Sequence, residues 1–406
     1  MSLINTIRVK NTWKEATPSI LLVLNSFVWY VITYVVFSTT VNKLELLEIE
    51  KLSLFAMYFL GVAASAIFGS KIFPRTRIKF LYLWSIIGAA ATLLLITVPS
   101  NCMWINILFV LFLGISIGIG LPSCLGYFAD STRIENRGFV GGIIWSGVGF
   151  TVLFLLLLVN TFGRLEAIAV LTIWRFFGGF AFILLTRHHK EFGAQKSPSY
   201  LELVRNKKIL LYLFPWIMFS LINFTEVPIL EGVFGAESFT FVGFAEYVFA
   251  GIFASVGGIM ADIVGRKRII ITGFVMLGIE YAIMSISVGS QSALYLFMIL
   301  DGVTWGLFFS VFLTVIWGDL GEGYEKEKYY ALGGLPFLLS NFVYILVSPY
   351  VSVISPTAAF SFASFFLFLA VIPLMYAPET LPERKIRERE LKDYIEKAKK
   401  IKEKYV

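Results

Sequence analysis

The sequence is short of charge. Only 15% of its 406 residues are Asp, Glu, Lys or Arg, against roughly a quarter in soluble globular chains. That deficit, with 58% apolar residues and a mean hydropathy of +0.80, excludes a soluble multidomain chain and excludes disorder. Two cysteines rule out a disulfide framework, because Cys102 falls in a short loop and Cys124 near the far end of the following apolar run. The two histidines, His188 and His189, are adjacent in a polar segment. No histidine is left within an apolar run for metal ligation or acid–base chemistry. There is no G-x-x-x-x-G-K-[ST] phosphate loop, no G-x-S-x-G nucleophile elbow and no sizeable polar domain. These absences point away from nucleotide-driven transport and from an enzyme, and no cofactor or metal is expected.

What the sequence does have is apolar length. About 235 apolar residues suffice for roughly twelve bilayer helices at about 20 residues each. Apolar runs broken by short polar stretches place six spans at about 18–39, 52–70, 80–98, 104–128, 138–159 and 165–186. Six more follow at about 209–230, 238–261, 269–289, 292–318, 332–348 and 357–376. The first run carries no small-residue cleavage site after it and reads as a retained span, not a signal peptide. Of the 34 basic residues, all but Lys43, Lys51, Arg164 and Arg175 fall on one side of such a chain or in its termini. This asymmetry predicts a multi-pass protein of the cell membrane with both termini cytoplasmic. The net charge of +7 is then a topology signal and gives no reason to expect nucleic acid.

The longest internal polar segment, 187–208, separates two halves, 1–186 and 209–376, and a charged tail occupies 377–406. Within the tail, Glu388–Lys392, Asp393–Lys397 and Glu396–Lys400 have i,i+4 spacing and support a helix in water or on an anionic membrane surface. The halves echo each other. Leu113-Gly114-x-x-x-Gly118 in the fourth span returns as Asp301-Gly302-x-x-x-Gly306 in the tenth. Asp130 to Arg137 returns as Asp319 to Lys326, each leading to a double glycine, Gly141–Gly142 and Gly333–Gly334. The expected fold is an all-α polytopic membrane protein of twelve helices in two pseudo-symmetric six-helix halves. Transporters of this layout place their substrate site at the midplane between the halves.

After the eighth span the chain reads Gly258-Ile-Met-Ala-Asp262-Ile-Val-Gly265-Arg266-Lys267-Arg268. This stretch resembles the G-x-x-x-D-x-x-G-R-[KR] signature loop of the major facilitator superfamily. Gly258 suits close helix approach, Gly265 a tight turn, and Asp262 a latch to a helix N-terminus and a nearby arginine. The first-half copy, Gly69-Ser-Lys-Ile-Phe73-Pro-Arg75-Thr-Arg77, has Phe73 where Asp262 stands. The latch is therefore expected to be asymmetric and weaker on the N-terminal side. Asp130-x6-Arg137-Gly138, Pro378-Glu379-Thr380 and Asn223 resemble motifs of the sugar-porter branch. The proline of that branch's loop is missing, as is the arginine ahead of the span-four glycines. The resemblance implies alternating access by a monomeric carrier of a small molecule.

Five charges fall inside predicted spans: Arg175, Glu226, Glu246, Glu280 and Asp301. A charge at the bilayer centre costs about 2.5–3.5 kcal/mol on insertion scales, so each needs pairing, water or a function. The resemblance puts the tenth span, with Asp301 and Trp305, on the central cavity. Glu226 extends a polar stripe of Trp216, Ser220 and Asn223 beside Pro228. Asn25, Trp29 and Thr33 form a similar stripe, as do Ser340, Tyr344 and Ser348. Asp301, Glu226 and Glu246 are the candidates to carry a coupled proton. Arg175 either reaches a cavity carboxylate or meets an anionic substrate. The leading expectation is proton-coupled transport of a metabolite, a sugar or an organic acid. Export of hydrophobic or cationic compounds is the alternative, and a non-transporting membrane sensor is the alternative from another class.

Overall fold

The computed structural model describes residues 12–98, 100, 102–161, 163–186 and 194–382. His188, His189, Arg8, Lys10 and the i,i+4 pairs of the charged tail lie outside the described residues. Among the described residues, twelve helices are long and apolar enough to cross a membrane. Spans 1–6 are Glu15–Asn42, Glu48–Ile72, Pro74–Thr97, Met103–Asp130, Ile134–Val159 and Arg164–Thr186. Spans 7–12 are Lys207–Phe234, Ala236–Val264, Arg266–Ile286, Gln291–Leu320, Glu327–Val351 and Pro356–Tyr376. Several run past the predicted apolar cores, because their ends carry charged residues that hydropathy trims and hydrogen bonding retains. Span 11, for example, begins at Glu327 rather than near residue 332.

Each half packs by the same rule. Span 1 lies against 5 and 6, span 2 against 4, and span 3 against 6; span 7 lies against 11 and 12, span 8 against 10, and span 9 against 12. The repeated Gly-x-x-x-Gly explains one of these matches. A Cβ on Gly118 would fall 2.1 Å from the Val62 carbonyl of span 2, and one on Gly306 would fall 2.7 Å from the Ala250 carbonyl of span 8. Only glycine allows the two backbones so close, and in lipid that contact is a main source of helix association. The halves meet where span 5 packs on span 8 and span 2 on span 11.

The segment between the halves crosses one face as a strap. Gln195 forms an isolated parallel bridge with Tyr324, its N–H donating to Gly323 O (3.2 Å) and its carbonyl accepting from Glu325 N–H (2.8 Å). Lys328 Nζ donates to Pro198 O at 2.9 Å. Ser199 then caps a short helix, Tyr200–Arg205, in a reciprocal capping box with Glu202. The Tyr200 hydroxyl meets Ser70 Oγ of span 2 at 2.5 Å. Burial pushes the Tyr200 phenol up to about 12, so it stays a neutral hydroxyl in that contact.

Candidate functional site

Two regions between the halves concentrate the polar side chains: an ion-paired closure at the face carrying the basic loops, and a cavity toward the opposite face. In the closure, Asp130 is held by Arg77 of its own half and by Lys326 of the other. Asp319 is held by Arg266 of its own half (3.3 Å) and by Arg137 of the other. Arg77, Asp130 and Arg137 recur 189 residues later as Arg266, Asp319 and Lys326. The closure is thus one triad made twice, with each carboxylate bridging the halves. All six side chains are buried, and charges so placed are tolerable only when paired.

The signature loop adds a backbone contact. Asp262 Oδ1 accepts from Gly138 N–H (3.0 Å) and Oδ2 from Phe139 N–H (2.7 Å), at the N-terminus of the helix Arg137–Thr161. Arg266 Nη2 lies 2.8 Å from Asp262 Oδ1. The helix start offers orphan N–H groups and the positive end of its dipole, so a carboxylate is favoured there. Gly258 and Gly138 make the approach possible, since a Cβ on Gly138 would sit 2.6 Å from Asp262 Oδ1. Gly265 turns the chain at φ +113. Beyond it Glu379 accepts from Arg266 N–H (2.9 Å) and Lys267 N–H (3.1 Å), capping span 9. The Lys267 ammonium donates to Ala377 O at 3.0 Å, so it anchors the end of span 12 and makes no carboxylate contact in the closure.

The expected weakness of the first-half latch needs correcting. Phe73, in the place of Asp262, stacks on Phe80 with ring centroids 3.6 Å apart. The missing carboxylate is supplied from the other side of the interface. Glu327, 189 residues after Gly138, starts span 11 and accepts from Arg77 Nε. The carboxylate has moved from the signature loop to the helix start that it would have capped. Nothing in the sequence marks Glu327, one charge among several in a polar loop.

The cavity has a volume of about 350 Å³ and is lined by spans 1, 5, 7, 8, 9, 10 and 11. Glu246, Asn223, Asp301 and Trp305 line it. Asp301 is buried, its Oδ1 has no partner, and Trp305 lies one turn on within hydrogen-bonding reach of the carboxylate. Span 8 presents Glu246 beside it, because Gly302 packs against the Glu246 backbone. Glu280 is buried next to these two with both carboxylate oxygens unpartnered. Glu226 is buried near Tyr281, with Oε2 unpartnered, and does not line the cavity. Past Trp305, span 10 winds as a π-helix over Phe308–Ile316. There Thr314 Oγ1 donates five residues back to Phe309 O (2.7 Å) and accepts from Trp145 Nε1 of span 5 (2.5 Å). Such wide turns recur at functional sites. The aromatic residues of span 1, Tyr30 and Tyr34, also line the cavity and carry no sequence signal of it.

Other candidates lie elsewhere. Arg175 is fully buried inside the N-terminal half, its guanidinium 4.1 Å from the Trp84 ring centroid and 4.5 Å from that of Trp29. It donates to Asn25 Oδ1 (3.0 Å) and Ser26 Oγ (2.8 Å). Arg175, Asn25 and Trp29 therefore form a scaffold cluster of spans 1, 3 and 6, and none of them lines the cavity. Helical spacing gave their common side, but it could not say which neighbour that side meets. Trp216 donates to Gly333 O, and Tyr344 to Glu231 Oε2 at 3.3 Å, also away from the cavity lining. Among the described residues no cluster of His, Cys, Asp and Glu is placed to hold a metal ion.

Residues 209–404 match the family described as Major Facilitator Superfamily. A solved structure of the proton:xylose symporter XylE bound to 6-bromo-6-deoxy-D-glucose has the same fold, with a TM-score of 0.68. The likeness covers 91% of this chain and 96% of that one, at 13% identity. The second half of this chain carries the sequence pattern of the major facilitator superfamily, and the whole chain has the fold of that symporter. No curated protein sequence matches it. Its twelve membrane-length helices and the match to this transporter family mark a multi-pass membrane protein of transporter type rather than an enzyme. The family match covers the half with the intact signature loop; the other half, with Phe73 in place of the aspartate, conforms through its fold.

Proposed function

We propose that the chain is a secondary active transporter working by alternating access, with a proton exchanged at Asp301 and Glu246. The observation that carries this reading is the cavity between the halves, closed by paired charges on one face and holding a bare buried carboxylate. Positive-inside bias puts the closed face in the cytoplasm of a cell-membrane protein, so the cavity belongs to the outward-facing state. The cycle then alternates by breaking the two triads and closing the opposite rim. The coupling ion is the proton, as in the symporter to which the fold is similar. An organic acid fits the lining poorly, because among the described residues no lysine, arginine or histidine lines the cavity. A neutral or cationic solute fits it.

Reconstitution tests the reading. Proteoliposomes with an imposed pH gradient are offered D-xylose, succinate and benzyltrimethylammonium in separate assays. At least one should move against its own gradient, and Asp301→Asn or Glu246→Gln should stop it. Fluxes of all three that ignore the pH gradient would sink proton coupling.

A further inference from the structure

The buried unpartnered groups in and behind the cavity wall include several carboxylate oxygens. Asp301 Oδ1 and Asn223 Oδ1 are buried and unpartnered, and so are Glu226 Oε2 and both oxygens of Glu280 behind the wall. Glu246 faces the same space. The Tyr30 and Tyr281 hydroxyls are also unpartnered and can accept as well as donate. The indole donors are committed, Trp145 to Thr314 and Trp305 toward Asp301. The hydroxyls of Tyr30, Tyr34, Tyr247 and Tyr281 and the amides of Asn223 and Asn341 can donate as well as accept, so what favours a charged guest over a sugar is the pair of carboxylates Glu246 and Asp301 with no facing cation among the described residues.

The wall itself points the same way. Tyr34 and Trp145 from the first half face Trp305, Phe309 and Phe337 from the second. Aromatic faces carry negative charge density, so they attract a cation and do nothing to solvate an anion. Arg175, the buried cation nearest in sequence logic to a counter-ion, is held by Trp29 and Trp84 in the other half. The cavity volume of about 350 Å³ lies within the range of small-molecule sites.

We propose that the solute is an organic cation with an aromatic or aliphatic body, its charge held between Glu246 and Asp301 and its body against the aromatic wall. This rests on reading the cavity as the transport site, and its test is separable from that of proton coupling. The full chain in detergent is titrated with benzyltrimethylammonium, D-xylose and succinate, reading thermal midpoint and proton release with an indicator dye. Benzyltrimethylammonium should raise the midpoint saturably, and the other two should not. Asp301→Asn and Glu246→Gln should each weaken its binding at least tenfold. Trp305→Leu, which leaves both carboxylates in place, should weaken it severalfold, so the proposal stays testable if Asp301→Asn folds poorly. Stabilisation by D-xylose or succinate alone would overturn the proposal, as would cation binding indifferent to all three substitutions. Cation binding without proton release refutes the coupling and supports the substrate class; proton release on D-xylose binding does the reverse.

Discussion

At the basic face, Arg77, Arg137 and Lys326 each have a carboxylate partner from the opposite half, and Arg266 pairs with Asp262 and Asp319 of its own. In the cavity and behind it, Asp301, Glu226 and Glu280 keep buried oxygens with no partner. Both regions bury charge in a membrane protein, where an unpaired ion is costly. In the paired region every one of these charges has an opposite partner, although Glu327 Oε2 itself accepts no hydrogen bond, and that pairing defines one conformation. The unpaired region is incomplete, and what completes it must arrive from outside. Between these extremes lies Arg175, a buried cation held between two indole faces, with two hydrogen bonds from Nη1 while Nε and Nη2 have no hydrogen-bond partner. A cation can be kept that way without a counter-ion; a carboxylate cannot, because the same faces repel it.

The comparison can be broken at either region. The largest effect is expected from Asp301→Asn, which should cut pH-driven flux in proteoliposomes by about 100-fold or more. The thermal midpoint should hold or rise, since the substitution removes a bare buried charge. Unchanged flux would leave the cavity without its central residue. Arg137→Ala should act in the opposite sense, weakening the closed state by about 1.5–3 kcal/mol, because Asp319 loses its partner from the first half and keeps Arg266 and Thr380. It is read by thiol labelling from the basic face of Ala331→Cys, a buried site between the closure and the cavity, which should speed up sharply. Glu327→Gly should loosen the first-half clasp, and adding Phe73→Asp should restore part of it. The coupling between the two sites, about 0.5–3 kcal/mol, is measured by a double-mutant cycle on thermal midpoints. Gly138→Ala places a methyl 2.6 Å from Asp262 Oδ1 and should cost about 1–3 kcal/mol in the same assay. Tyr200→Phe, which loses only the contact with Ser70, should cost less than about 1 kcal/mol.

Much of this was legible from residue type alone. Apolar runs located all twelve spans, and the basic residues chose their common face, because bilayer thickness and charge cost leave little freedom. Asp301 and Glu246 stood out for the same reason: a carboxylate in an apolar run has no ordinary explanation. Arg175 stood out equally and was misplaced, because periodicity gives a side of a helix and not the neighbour it meets. Glu327 was invisible, since a glutamate at a helix start in a polar loop is ordinary until Arg77 is seen beside it. The π-helical turn over Phe308–Ile316 left no trace either. Its cause is tertiary, with Trp145 and Tyr330 both bonded to Thr314.

The strap limits how the molecule can move. Gln195 and Pro198 are fastened to the 323–328 stretch of the second half, and Tyr200 to Ser70 of the first. Only Ser199 lies between the last of these anchors. The two residue steps from Pro198 to Tyr200 span at most about 7 Å, so the tether is short. Parting span 2 from the 323–328 stretch beyond that length and the reach of the Lys328 and Tyr200 side chains must unfasten one end. The linker therefore works as a length gauge, and the anchor that yields first decides which half carries it through the cycle.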